Sequence, residues 1–585
     1  MRKYIILIVS IAFTLFSMYP AWYELERKDT IRENRTFELV HNFYTDFNFY
    51  LSRIRQGLEG NLTVHEKYTS EPHNGSFIHI LYLAMGWIGR WVRVPWHKTA
   101  DIYHVARGVL AVVLLMMFGE LARRSFPQKT EEDEKKKGPT LLAISAFLLS
   151  VTASTWPIFV HMEDGSFRFG GYMPWWSVMD SLQRIAFLPH LLFGQLLMAF
   201  LIYAISDLKT MRSVGNWIFL GVLAFAEGIV FPPGLIFIIA TIPFVVFMEY
   251  VFTKPHPQGK IFIPWVIAHV LPRAVVVLLG IPALIYLQLM TSFFPWKQLA
   301  LADIEHPLPY KFWEYMQAMG VMLPLGVAGL LLALRNRQKL LIMPIAWVVT
   351  WAFLLWIFTY IPAQSPLRFS EMIPHLPLGI LAAYFFYVLA SALANRWPKM
   401  KSITHLLPQQ LRSAKTGAAL IYILPVVLIG MNLFHMYSSS LWQTDFVDHK
   451  IRGMYPLVPT GSYVMYPLTD FITAIRWLQD HTSRDTVILS ETTAGNYIPV
   501  YSGNTVYVGH DNTVRNQEKK LYVNSFFSAR MPADQAKQFL AEENLHYVFF
   551  GPQEKEDNGV TDLQKVYGFL EPVYQGEYVT IYFAK

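Results

Sequence analysis

The chain has 585 residues, of which 53% are hydrophobic, 15% aromatic and only 16% charged, with a mean hydropathy of +0.30; a water-soluble globular protein of this size is excluded. The formal charge of +7 sits in short basic segments between apolar runs, which is the bias of membrane loops, so no nucleic-acid partner is implied. Cysteine is absent, which removes disulfides, thiolate metal sites and a thiol nucleophile together.

The first apolar run, 5–19, follows Met1-Arg2-Lys3, and Pro20-Ala21-Trp22 is a poor cleavage site, so it reads as a retained anchor. Further spans are expected at 103–122, 141–160, 185–205, 217–230, 235–252, 271–289, 319–334, 340–360, 376–393 and 417–434, roughly eleven in all. Phe231-Pro232-Pro233-Gly234 breaks the long run 217–252 into a hairpin. The run 77–88 reads as a helix lying on the outer membrane surface. Counting it as a span would invert every later loop and send Arg123 and Arg124 outside, against the positive-inside rule, and its flank carries Arg90, Arg93 and Trp96.

With that choice the N-terminus and the basic segments 123–137, 209–212, 254–260, 335–339 and 396–415 are cytoplasmic, whereas 21–102, 161–184, 291–318, 362–371 and everything after 435 are external. In the polar tail, Phe471, Ile472, Ile475 and Leu478 share a helical face, strands are expected at 486–489, 506–508, 547–550 and 579–583, and a further helix at 533–543. The expected architecture is mainly α: a polytopic bundle over 1–440 with a long external loop at about 21–102, then a small external α/β domain over 441–585.

The acids and cations of the external segments are the candidates for chemistry. Asp46 lies in Tyr44-Thr45-Asp46-Phe47-Asn48-Phe49-Tyr50, soon after the anchor. If it opens a helix, Tyr50, Arg53 and Gly57 follow on the same face; the plainer alternative is an acid favoured by the helix macrodipole, with Arg53 a surface cation. Glu163-Asp164 could supply oxygen ligands to a divalent ion or bind an acceptor, or form an ordinary Glu-Asp-Gly turn. Arg368, in Gln364-Ser365-Pro366-Leu367-Arg368, suits a phosphate held through two parallel hydrogen bonds, or snorkels at the interface. Glu227 and Arg273 fall within spans, where each should pair or face a polar cavity. His510, in Tyr507-Val508-Gly509-His510-Asp511, follows a strand with no nucleophile beside it in sequence and reads first as structural.

Asp46-Phe47-Asn48-Phe49-Tyr50 after the first span, the surface stretch behind it, the Glu163-Asp164 pair and the external C-terminal domain together resemble the GT-C superfamily. These are integral-membrane glycosyltransferases that use polyprenyl-phosphate sugars, among them protein O-mannosyltransferases and aminoarabinose transferases. Tyr497-Ile498-Pro499, Tyr507-Val508-Gly509-His510 and Phe549-Phe550-Gly551-Pro552 are similar to segments of bacterial members. The resemblance implies a multi-pass protein of a bacterial inner or plasma membrane that transfers a sugar, with inversion, to a hydroxyl of a lipid, glycan or protein acceptor on the extracytoplasmic side. It makes Asp46 the general base, Arg368 and then Arg184 the cations for the leaving phosphate, and Tyr50, Arg53 and His510 supporting residues. Glu163 and Asp164 would orient the acceptor or, with Asp46, hold a divalent cation, magnesium or manganese.

The Trp-Trp-Asp-Tyr-Gly motif of oligosaccharyltransferase catalytic subunits is missing, and Pro174-Trp175-Trp176-Ser177 only echoes it elsewhere, which disfavours transfer of a whole oligosaccharide to asparagine. The rival readings are a transporter or flippase of a lipid-linked glycan, for which the single Pro-Pro-Gly break has no counterpart in an inverted repeat, and a non-catalytic scaffold with an external binding domain.

Overall fold

In a computed structural model, the residues described are 3–127, 138–253, 261–305, 307–361, 364–396 and 416–585. The basic segments 128–137, 254–260 and 397–415, on which the expected sidedness partly rests, lie outside the described residues.

Every apolar run expected to span forms a helix, but the helices differ in length. Among the described residues seven are long and apolar enough to cross a bilayer, or up to nine if two bent pairs each count as one span. The expectation of roughly eleven is reduced because two runs give only short apolar helices, Leu141–Thr152 and Val214–Val230. The first stops ahead of Trp156-Pro157, where the chain turns into strand β1 (Ile158–His161), paired antiparallel with β2 (Phe167–Gly170). One bent pair, Phe312–Ala318 and Met322–Arg335, turns by 84°. Gly320 sits at that turn with φ +64, and a Cβ there would lie 1.8 Å from the Ser154 carbonyl oxygen, so only glycine permits the corner. The Pro-Pro-Gly break falls where expected, between Val214–Val230 and Pro232–Phe252.

The chain divides into two compact units: Met1–Tyr19, Arg107–Ile285 and Pro307–Trp442 in the first, and Pro20–Ala106, Tyr286–His306 and Gln443–Lys585 in the second. The long segment after the anchor therefore belongs with the C-terminal residues, not with the helices that follow it. Buried side chains tie them. Lys450 and Tyr466 bond Glu24 at 2.9 and 2.7 Å, Arg35 donates to the carbonyls of Met454 and Tyr466 at 2.9 and 2.6 Å, and Tyr497 donates to Glu38 at 2.8 Å. Burial holds the Glu38 carboxyl above its ordinary range, with the two tyrosines Tyr501 and Tyr497 opposing that rise.

The second unit holds a mixed sheet of β3 (Val487–Leu489), β4 (Thr505–Val506), β5 (Leu545–Phe550), β6 (Leu570–Gln575) and β7 (Thr580–Ala584), in the order β4-β3-β5-β7-β6. Strand β3 runs parallel to both β4 and β5, and β7 is antiparallel to β5 and β6. The pleat sends alternate residues to opposite faces. Ile488, Phe549 and Ile581 meet Phe471, Ile475 and Tyr497 on one side, while Leu489, Val548 and Phe550 meet Val523, Phe526 and Phe539 on the other. The sheet thus has helices on both faces, and the first of these cores also takes in Tyr44, Phe49 and Tyr68.

Candidate functional site

Asp46 lies in the first turn of the helix Tyr44–Glu59, which ends at Gly60 in the left-handed region with its N–H on the Gln56 and Gly57 carbonyls. The face shared by Asp46, Tyr50, Arg53 and Gly57 is divided between packing and chemistry. A Cβ on Gly57 would meet the Leu83 carbonyl oxygen at 2.1 Å, so this glycine lets the helix Ile80–Trp91 lie against it. Tyr50 stacks on Tyr82 of that helix at 4.4 Å. Arg53 is fully buried, 2.5 Å from Glu66 Oε2, bonded to Ser52 Oγ at 2.7 Å and laid over the Phe49 ring at 3.6 Å. It is no surface cation. Asp46 keeps an open side, with its side chain 47% exposed.

Two features of the second unit fix the first turn of this helix. Asn48 Nδ2 donates to Asn496 Oδ1 at 2.9 Å and Asn496 Nδ2 returns a bond to the Thr45 carbonyl at 3.2 Å. His510, in the segment that follows β4, lies with Nε2 3.5 Å from Asp46 Oδ1 and with its ring stacked 4.5 Å from Phe49. The Asn512 backbone N–H donates to His510 Nδ1 at 3.2 Å, so Nδ1 is an acceptor and the neutral ring carries its proton on Nε2, toward the carboxylate. A separation of 3.5 Å is longer than a made N–H···O bond, which leaves the Asp46 oxygen able to take another donor.

The other candidates lie in the first unit. Glu163 and Asp164 are exposed on the turn joining β1 to β2, where Asp164 Oδ1 accepts the Ser166 N–H at 2.9 Å; the bonds to Ser166 hold this carboxyl below its usual range. That is the geometry of an Asx turn. Among the described residues no group of three His, Cys, Asp or Glu side chains is placed to hold a metal ion. Arg368 is part-exposed, with Nη1 3.4 Å from the buried carboxylate of Glu371. Arg184 donates through Nη2 to the carbonyls of Val151 and Ala153, covering the negative end of the helix Gly138–Thr152, while its Nη1 is buried without a partner among the described residues. Burial pushes its guanidinium down to about 10, against the opposing charge of Asp180.

Several residues of these neighbourhoods carry no signal in sequence. His375 Nε2, like Arg184 Nη1, is a buried nitrogen with no hydrogen-bond partner among the described residues, and nothing in the apolar run that it begins marks it. Asn496 adjoins the Tyr497-Ile498-Pro499 segment and was visible only as its neighbour. Within the spans, Arg273 forms a bidentate pair with Glu249 at 2.9 and 2.6 Å, whereas Glu227 is buried with both carboxyl oxygens unpartnered among the described residues.

The sequence matches no protein-family profile and no curated protein. In three dimensions the chain is similar to the oligosaccharyltransferase of Archaeoglobus fulgidus tethered with an acceptor peptide containing the NVT sequon, with a TM-score of 0.53 at 11% identity over 100% of this chain and 74% of that one. The archaeal oligosaccharyltransferase AglB of the same organism, in complex with an inhibitory peptide and a dolichol-phosphate, gives a TM-score of 0.51 at 11% identity over 100% and 74%. The likeness is one of fold. A membrane helix array with a mixed α/β C-terminal part and this structural kinship give the chain a GT-C-like fold.

Proposed function

We propose that the chain is a membrane glycosyltransferase that moves a sugar from a polyprenyl-phosphate donor to an acceptor hydroxyl on the extracytoplasmic side, with Asp46 as general base. The observation that carries this reading is the half-open Asp46 carboxylate facing the Nε2–H of His510 in a chain with the GT-C-like fold; a protein of that fold has been captured with a dolichol-phosphate. The acceptor oxygen attacks the anomeric carbon as Asp46 takes its proton, the bond from that carbon to the phosphate oxygen breaks on the opposite face, and the polyprenyl phosphate departs with the electron pair. The centre inverts.

A cation near the leaving phosphate lowers the barrier by stabilising charge as it develops. Arg368 and Arg184 remain the candidates, and among the described residues Arg184 Nη1 is a buried nitrogen without a partner. A divalent ion shared by Asp46 and His510 is disfavoured. Binding His510 through Nε2 would move the ring proton to Nδ1, where the Asn512 N–H already points. Glu163 and Asp164, on an exposed turn, are left as acceptor contacts or as ligands for such an ion. The test is whether purified protein releases radiolabelled sugar from polyprenyl-phosphate donors to an acceptor, and whether Asp46→Asn abolishes release while donor binding persists. Full turnover by that variant would refute the assignment.

A further inference from the structure

The region between the Asp46 helix and the first long span has a surface to which the proposed transfer assigns no role. The helix Ile80–Trp91 buries Tyr82, Leu83, Met85, Gly86 and Gly89. Its last turn does the reverse, with Ile88 63%, Trp91 84% and Val92 59% exposed. Beside these, an open pocket of about 560 Å³ is lined by Gly60, Leu62, Trp87, Arg90, Trp91 and Arg93. Gly60 allows it: with φ +97 and no Cβ, it admits the Arg90 guanidinium, whose Nη1 would lie 1.4 Å from a Cβ built there. Arg93 is held at φ 60, a left-handed backbone that costs a non-glycine residue about 1 kcal/mol.

Charge and apolarity are both uncompensated here. Residues 87–98 contain Arg90, Arg93 and Lys98 and no acid, and Glu59, beside the pocket in sequence, is already taken by Arg55 at 2.9 Å and Arg484 at 3.6 Å. The next residues, from Trp96, open a helix long enough to cross the bilayer, so the chain itself keeps this turn at the membrane surface. Two guanidiniums grip phosphate oxygens, and indoles favour the headgroup layer. A free phosphate would satisfy the cations and leave Ile88, Trp91 and Val92 in water; a lipid answers both.

We propose that this pocket binds the phosphate of an anionic phospholipid of the surrounding bilayer, with Arg90 and Arg93 as its cations and Trp87 and Trp91 beside the headgroup. The test is native mass spectrometry of the full chain in detergent, titrated with phosphatidylglycerol or phosphatidylcholine. Parent protein should retain phosphatidylglycerol preferentially, Arg93→Gln should bind it about fivefold more weakly and Arg90→Gln with Arg93→Gln about twentyfold more weakly. The single Arg93 variant leaves the Arg90–Gly60 packing in place, and Arg90→Lys with Arg93→Lys serves as the charge-retaining control and should bind more tightly than the double Gln variant. Equal retention by parent and double Gln variant, equal retention of phosphatidylcholine, or displacement of the lipid by millimolar inorganic phosphate would each overturn the proposal.

Discussion

Asp46 and Arg53 stand two turns apart on one helix and are treated in opposite ways. Arg53 is sealed from solvent, and an ion pair, a hydroxyl and an aromatic face surround it. Asp46 is about half exposed, and its cationic-capable neighbour stops 3.5 Å short. Removing a charge from water is tolerable only when bonds replace the lost hydration, and Arg53 has them at both terminal nitrogens, so its place in the fold is fixed. A carboxylate that keeps an unfilled lone pair in reach of solvent has spare capacity for an incoming proton. The same helix therefore holds a structural charge at its middle and a reactive one at its start.

If that contrast is right, Asp46→Asn lowers transfer by about a thousandfold, within the usual range for a lost general base, and moves the unfolding midpoint little, since the site is surface-exposed. A single-turnover assay with labelled donor beside a thermal melt of the same preparation measures both. Arg53→Ala should do the opposite, costing about 4 kcal/mol by stranding Glu66 in the interior. Replacing both members, Arg53→Met with Glu66→Leu, should recover much of the loss in the same melt. Equal damage from the pair and the single change would show that the ring contacts to Phe49 and not the ion pair hold this region.

A second buried acid sharpens the distinction through pH. In the C-terminal residues, burial and the nearby Asp557 push Glu491 up to about 7, and burial and the Glu491 charge push Glu554 up to about 8. Glu554 accepts the N–H groups of Glu491 and Gly551 at 2.8 and 3.0 Å. A carboxyl raised in the folded state holds its proton more tightly there than when unfolded. Its stabilisation is therefore complete below about pH 4 and is lost as pH rises through its folded value. For Glu491 the loss by pH 8 amounts to about 3 kcal/mol. Hydrogen exchange at β3 and β5, corrected for intrinsic rates, should show opening become easier from pH 5 to 8. Glu491→Gln should flatten that slope, and an unchanged slope would mean that Glu491 does not titrate there.

Apolar length made the helices legible, and the Pro-Pro-Gly break was legible because proline and two missing donors leave a helix little choice. The count of spans was not, since hydropathy does not register the corner at Gly320 or the strand that starts after Pro157. In the tail, β3, β5 and β7 stood out as short apolar runs, but β6, Leu570–Gln575, alternates exposed and buried residues around Pro572 and gave no such run. Asp46 could be picked out from its place after the anchor. The burial of Arg53 could not, because Glu66 sits in an irregular segment whose path no periodicity describes. The encounter of His510 with Asp46 was equally hidden, being a contact between distant parts of the sequence.

That encounter also gives the smallest test. If the imidazole only fills space against Phe49, His510→Gln, which offers an acceptor toward Asn512 N–H and a donor toward Asp46, should behave as the parent at every pH. If the ring also steadies Asp46 during proton uptake, the same variant should be slower by about fivefold, the worth of roughly one hydrogen bond. The KM for acceptor should stay unchanged. Gln keeps an acceptor toward the Asn512 N–H and a donor facing Asp46 but loses the stack on Phe49, so a slower rate with an unchanged thermal melt separates the two contributions, and it would identify His510 as the residue that positions and tunes the base.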